Sequence, residues 1–198
     1  MYNLTVLKKY PAHTKPLNGS PCGSVNYISI SPYNDYFATC SDDRTIKIWA
    51  LDNYKGKKLG DLICTLPEQE HIINIVTFSE DCKFLATANW AGIIKVYKTK
   101  NNWKSYEEIF NRRVFFEDNK KYPIKELYFN IKGDKDYLLF KVVNQQIKAF
   151  KTNDNWKNVK EIDNDQINKL RSCFVKKRKI CQLVIVSNYE EETCIRAI

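Results

Sequence analysis

Histidine is almost missing from this chain of 198 residues, which carries two; glycine and proline number six each, and methionine one. Two histidines leave little material for acid–base or metal chemistry. Neither His13 nor His71 stands at a telling spacing from a nucleophile or carboxylate, and no His/Cys cluster has metal-ligand spacing. Six glycines make no phosphate-cradling loop. No apolar run approaches the roughly 20 residues that span a bilayer. Met1 to Tyr10 lacks a basic segment followed by an apolar one, so a secretory leader is not expected. These shortages argue against an enzyme, a cofactor, a metal or a small-molecule substrate, and for a cytoplasmic chain. The seven cysteines (22, 40, 64, 82, 173, 181 and 194) are odd in number and include no Cys-x-x-Cys pair. Cys40, Cys82 and Cys181 lie in or beside apolar runs, where a free thiol acts as a small buried hydrophobe, so reduced structural cysteines are expected.

What is present is a globular, strand-forming palette. Apolar residues make up 43% and charged residues 28%, with 12 Tyr and 10 Phe. The net charge of +9 is uneven, with a balance of +2 over residues 1–99 and +7 over residues 100–198. A basic second half suits an acidic protein, an anionic membrane surface or RNA, or else lysine-rich solubilising loops.

The strongest signal is internal repetition. Val25–Trp49 aligns with Ile73–Tyr97 at a shift of 48 without a gap. Asn26 meets Asn74, Ser31 meets Ser79, Ala38-Thr39 meets Ala86-Thr87, and Ile46-Lys47-Ile48-Trp49 meets Ile94-Lys95-Val96-Tyr97. A third copy follows in Ile124, Leu127 and Phe129, then Leu138 to Phe150; a weaker fourth runs through Leu170, Cys173 and Val175, then Leu183–Ser187 and Cys194–Ile198. Within a copy, residues alternate as in strands, and Ser31-Pro32-Tyr33-Asn34-Asp35 and Ser41-Asp42-Asp43-Arg44 have turn chemistry. A fourth strand per copy is expected in Asp61–Leu66, Val114–Glu117 and near Val159–Ile162. Four short antiparallel strands repeated about every 50 residues are the arithmetic of propeller blades.

Phe37-Ala38-Thr39-Cys40-Ser41-Asp42-Asp43-Arg44-Thr45-Ile46-Lys47-Ile48-Trp49 resembles the second half of a WD40 repeat. The resemblance implies an all-β chain of WD40-type β-propeller blades, with blades near 25–66, 73–117, 124–162 and 170–198. It also implies a ring-closing strand at 4–7, and either a chain that forms part of a larger ring, the preferred reading, or a small four-bladed or open assembly. Asp43 falls where the family keeps a structural Asp. Blade two has Ala91 there and blade three Asn144, while the closing Trp becomes Tyr97 and Phe150. The family's Gly-His pair is replaced by Glu68-Gln69 in blade two, so its His–Ser–Trp–Asp network is not assumed in any blade. Val25-Asn26-Tyr27-Ile28, Phe37–Ser41 and Lys47-Ile48-Trp49, followed by Lys55-Gly56-Lys57, are also similar to the propeller of the protein-kinase-like regulatory subunit of class III phosphatidylinositol 3-kinase. That likeness implies a scaffold in a lipid-kinase or vesicle-trafficking complex. The competing expectation, from the basic second half, is a WD40 protein bound to RNA or a ribosomal or RNA-processing assembly.

Candidate contact residues are therefore surface residues, and other proteins are the first expected partners. Lys176, Lys177, Arg178 and Lys179 form a basic run between two strands of blade four, attractive to phosphate or acidic groups. The run has no interleaved aromatics for base stacking, which favours protein or membrane over RNA. Arg44 and Trp90 lie in turns between second and third strands. Trp90 is either an exposed contact or a packing residue against a neighbouring blade. Trp103 and Trp156 recur in like segments after third strands, as turn anchors covering blade edges.

Overall fold

The computed structural model describes residues 13, 23–51, 54–114, 123–132, 135–142, 147–162, 166–167, 184–189 and 192–197. Among the described residues the fold is all-β: besides one turn of 3-10 helix at Tyr54–Gly56 and helical backbone at 166–167, its elements are strands. The first sheet holds β1 (Val25–Ile30), β2 (Tyr36–Ser41), β3 (Ile46–Ala50) and β4 (Leu62–Leu66). The second holds β5 (Ile73–Phe78), β6 (Phe84–Asn89), β7 (Ile93–Lys100) and β8 (Ser105–Arg113). The third holds β9 (Ile124–Lys132), β10 (Lys135–Val142), β11 (Ile147–Thr152) and the two-residue β12 (Lys160–Glu161). Each is an antiparallel meander in chain order. Of the fourth unit, the described part is the hairpin β13 (Val184–Tyr189) and β14 (Glu192–Ala197), with β13 approaching β1. The leading strand expected at 4–7, the first strand of blade four and the basic run 176–179 lie outside the described residues.

The repeat is kept in register, residue for residue. Thr39 pairs with Ile28 and Lys47, Thr87 with Val76 and Lys95, and Phe140 with Leu127 and Lys148. The first strand of each sheet carries a bulge near its start, at Asn26, Asn74 and Lys125. Turns repeat too. Asn34 and Cys82 take the same left-handed backbone (φ 58° in both), as do Arg44 (φ 64°) and Gly92 (φ 72°). An L-residue pays for that conformation, so turn hydrogen bonds must hold Arg44 and Cys82 there; their amides donate to Ser41 O and Ser79 O.

Each sheet is apolar on both faces. Between sheets one and two lie Ala38, Cys40, Ile46, Ile48, Val76, Phe78, Leu85 and Tyr97. Ala86, Ile94, Val96, Leu127, Leu138, Phe140 and Phe150 fill the space between sheets two and three. The far face of sheet one holds Val25, Phe37, Trp49 and Leu51. The thiols fit this core, as expected for Cys40 and Cys82: both are buried and free, and burial pushes the half-buried Cys64 thiol up to about 12. Polar clamps cross between blades along the bulges. Asn26 Nδ2 donates to Ile73 O (3.0 Å), and Asn74 Nδ2 to Ile124 O (3.4 Å).

One expected strand is displaced. The fourth strand of blade two is β8, not Val114–Glu117; Val114 follows its end, and 115–117 lie outside the described residues. Its start is set by the turn Asn101-Asn102-Trp103, three successive left-handed residues that send the chain straight back along β7. Trp103 is fully buried against Phe78, and its counterpart Trp156 packs on Phe110 and Phe129. Both are buried turn residues, as their matching segments suggest, and they pack into the cores between sheets rather than being seen to cover an edge.

Candidate functional site

Three surfaces follow from this architecture: a network inside each sheet, the end of the sheets where β1, β5 and β9 begin, and the opposite end. Chemistry concentrates in the first two.

In blade one, a buried network ties His13 to residues 26 to 32 positions further along the chain. Trp49 Nε1–H can only donate, and Thr39 Oγ1 accepts it at 2.9 Å. Thr39 Oγ1 is also 2.8 Å from His13 Nε2, and His13 Nδ1 lies 2.8 Å from Asp43 Oδ2 and 3.1 Å from Thr45 Oγ1. The proton assignment that satisfies every atom has Thr39 donating to Nε2 and Nδ1–H donating to the carboxylate. Asp43 Oδ1 accepts from the Thr45 amide (2.9 Å) and hydroxyl (2.7 Å), and Ser41 Oγ accepts from the Asp43 amide (3.0 Å). Burial opposes ionisation of Asp43. The hydrogen bond and attraction of His13, with the two bonds from Thr45, outweigh it and hold the carboxyl below the ordinary carboxylate range. The His–Ser–Trp–Asp network that the sequence left in doubt for every blade is thus complete in blade one, with Thr39 in the hydroxyl position. His13, read as a bystander, is its hub. The one sequence signal for it was the Ala12-His13 dipeptide, a worn Gly-His pair.

Blade two fills the same slot differently. Gln69 replaces the histidine and donates to Thr87 Oγ1 (3.1 Å) and Tyr97 OH (3.5 Å). With Ala91 in place of the Asp, Asn89 Oδ1 takes both turn amides, Ala91 N and Ile93 N, at 3.0 Å each. One amide oxygen does the work of Ser41 and Asp43 together. Gln69 Oε1 and Asn89 Nδ2 are left buried without a partner among the described residues. In blade three the slot is apolar: Phe140 and Phe150 stand where Thr39 and Trp49 stand, with ring centroids 5.2 Å apart. These are structural networks rather than catalytic ones. The Asp42-Asp43 pair is a turn, as its sequence suggests, and among the described residues no three His, Cys, Asp or Glu side chains gather as a metal site.

The second surface is the end carrying the β2–β3, β4–β5 and β6–β7 connections. Arg44 is half exposed there and pairs with Glu68. Trp90 is 55% exposed and does not pack into a neighbouring blade. Its amide donates to Ile72 O (3.0 Å), and the turn behind it is fastened by Asn89, so the backbone presenting the indole is fixed on both sides.

Antiparallel meanders stacked face to face in a common register, with a Trp–Thr–His–Asp network in the most regular one, are β-propeller blades. Residues 5–50 and 60–98 match the WD domain, G-beta repeat family. Mouse DNA damage-binding protein 2 is 32% identical over 106 residues, which is 53% of this chain and 20% of that protein. Human DDB1- and CUL4-associated factor 10 is 31% identical over 87 residues, 44% of this chain and 14% of that one; human transducin beta-like protein 2 is 29% identical over 86, 41% and 19%. The chain therefore spans a fifth or less of the length of these relatives. The crystal structure of Saccharomyces cerevisiae Sqt1 superposes with a TM-score of 0.59 at 14% identity, over 82% of this chain and 38% of that chain. The structure of U3-55K gives 0.53 at 11%, over 76% and 41%.

Two expectations follow from the networks. Asp43 is more acidic folded than unfolded, so its contribution to stability is present above the ordinary aspartate pKa of about 3.9 and is lost as pH falls through the folded value. Urea midpoints measured from pH 6 down to pH 2 should drop for the wild type, and the acid-dependent part of the drop should shrink in Asp43→Asn. In blade two, Ala91→Asp alone buries an unpaired carboxylate and should destabilise. Adding Gln69→His should recover about 1–3 kcal/mol of that loss, the size expected for coupled neighbours. Strict additivity of the two substitutions would contradict the shared-slot reading.

Proposed function

We propose that this chain works as a non-catalytic scaffold in the cytosol that holds other proteins in a complex, using the end of its sheets that carries Arg44 and Trp90. The observation that carries the reading is the exposed Trp90 indole on a turn whose backbone is fastened at Ile72 and Asn89. A large aromatic group held rigidly in water is costly to leave uncovered and loses little conformational freedom on binding, which is why tryptophan and arginine recur where protein contacts are strongest. Arg44, half exposed and already oriented by Glu68, adds a planar donor to the same end. Support also comes from the relatives, two of which bear names of association or binding: one with DDB1 and CUL4, the other with damaged DNA. Lys176, Lys177, Arg178 and Lys179 are proposed as an additional anionic contact, to protein first and to membrane or RNA second. A lipid-kinase or vesicle-trafficking assembly has no counterpart among the relatives named above, so the proposal stays at the level of protein scaffolding.

The test is affinity purification from the native source with mass spectrometry, comparing wild type, Trp90→Ala and Arg44→Ala. Exposed substitutions should leave the melting temperature nearly unchanged. The wild type should retain defined protein partners, and Trp90→Ala should deplete at least one of them by about tenfold or more, the loss expected for removing a contact worth about 1.4 kcal/mol. Recovery of nucleic acid or lipid without protein partners would sink the scaffold reading.

A further inference from the structure

Trp90 does not stand alone at its end of the molecule. Gly92 O accepts from Val114 N (2.9 Å), and Ile93 is the register partner of Arg113, which brings the end of β8 beside the Trp90 turn. The start of β9 is tied to the same place, because Asn74 Nδ2 reaches Ile124 O, next to the exposed Lys125. Arg112 lies over the Phe150 ring, 5.4 Å from its centroid. Arg113 and Lys125 make no ion pair among the described residues. Their nearest counterparts toward blade one differ in sign: Glu68 is taken by Arg44, and Glu70 is exposed in the β4–β5 loop. The end of the sheets is thus divided. Among the described residues, Arg113 and Lys125 lie without an ion pair on the blade-three side of the indole, where Glu126 is bonded to Tyr128, and Glu68 with its partner Arg44 and Glu70 lie on the blade-one side.

We infer that Trp90, Arg113 and Lys125 form a docking site at the junction of blades two and three for an acidic segment of a partner protein, with an apolar side chain of that segment on the indole. This rests on the scaffold reading above and names its partner chemistry. An acidic protein chain, which can lie along the blade-three side alone, fits better than a bilayer, which would cover the whole end and meet Glu68 and Glu70. Unpaired cations next to an exposed ring favour a carboxylate-bearing chain over a neutral one, and the attraction falls as salt screens it. Bulge position 125 is lysine where blades one and two have asparagine clamps, so the first strand of blade three gives up a possible inter-blade bond and presents a cation instead.

The experiment uses the full chain and two readouts. First, of the four tryptophans Trp90 is the exposed one, so quenching of tryptophan fluorescence reports the potential around it. Relative to N-acetyltryptophanamide, for which iodide is already the stronger quencher, Trp90 should show a raised iodide-to-caesium quenching ratio at about 50 mM salt. The excess over that reference should vanish in Arg113→Glu/Lys125→Glu and the quenchable signal should vanish in Trp90→Phe. Second, poly-L-glutamate should perturb Trp90 emission and poly-L-lysine should not. Glutamate binding should weaken by about tenfold or more in the double variant and between 50 and 300 mM salt, in line with screening over a Debye length. Arg113→Gln/Lys125→Gln, with a melt equal to wild type, guards against misfolding and should show the same direction. An iodide-to-caesium ratio equal to that of N-acetyltryptophanamide, or poly-glutamate binding unchanged in both variants, overturns the site. So does binding of phosphatidylserine vesicles or poly(U) through these residues without poly-glutamate binding. If affinity purification returns protein partners that the double variant keeps in full, the site falls while the scaffold reading stands. If no partner is returned yet the site binds poly-glutamate, the scaffold reading falls and the acidic-segment chemistry stands.

Discussion

A sheet that is apolar on both faces cannot stand alone in water, and that constraint governs the whole molecule. Sheet one buries Ala38, Cys40, Ile46 and Ile48 against sheet two on one side and carries Phe37, Trp49 and Leu51 on the other. Sheet two is flanked in the same way. Each blade is therefore stable through its neighbours, as in other repeat architectures. The Asn26 and Asn74 clamps add direction to this stacking, since each runs from one blade to the next along the first strands.

Inside the sheets, one slot has been filled with three chemistries. Blade one closes it with a polar network centred on His13 and Thr39, blade two with an amide and a phenol, and blade three with two phenylalanine rings. The polar version is satisfied at nearly every atom, whereas the amide version strands Gln69 Oε1 and Asn89 Nδ2. Buried polar groups are costly when half satisfied, so blade two draws more of its stability from the packing of Leu85, Ile94, Val96 and Tyr97. The turns held by these networks are the ones that present Arg44 and Trp90, which links the interior chemistry to the exposed end.

The blades were legible in the sequence because strand register and side-chain identity repeat together at a fixed shift of 48. The buried aromatic position at Trp49, Tyr97 and Phe150 was legible for the same reason. The start of β8 was not, because it depends on left-handed turn residues around Trp103, and the strand itself mixes Glu107, Glu108 and Asn111 with Tyr106, Ile109 and Phe110 across a bulge. His13 was hidden by distance. Gln69 stands four residues before β5, whereas His13 stands twelve before β1, so the shift that aligns the strands does not align the two hubs. Trp90 was visible as an aromatic in a polar turn, but its exposure rather than packing is a fact of tertiary structure. Arg113 stood out in the sequence only as half of the Arg112-Arg113 pair beside an aromatic run, and Lys125 not at all, because it is the Val114 and Asn74 hydrogen bonds that bring them beside that turn.

The claim on which this account turns is that blade one is locked by a fully bonded interior network. Hydrogen exchange of the tryptophan indole protons, followed by NMR, tests it most directly. Trp49 Nε1–H, donated into Thr39 at the centre of the network, should exchange as slowly as the most protected backbone amides of β2 and β3, and His13→Ala should speed it markedly while Trp90 Nε1–H stays fast in both proteins. A Trp49 indole proton that exchanges as fast as that of Trp90 in the wild type would contradict the network.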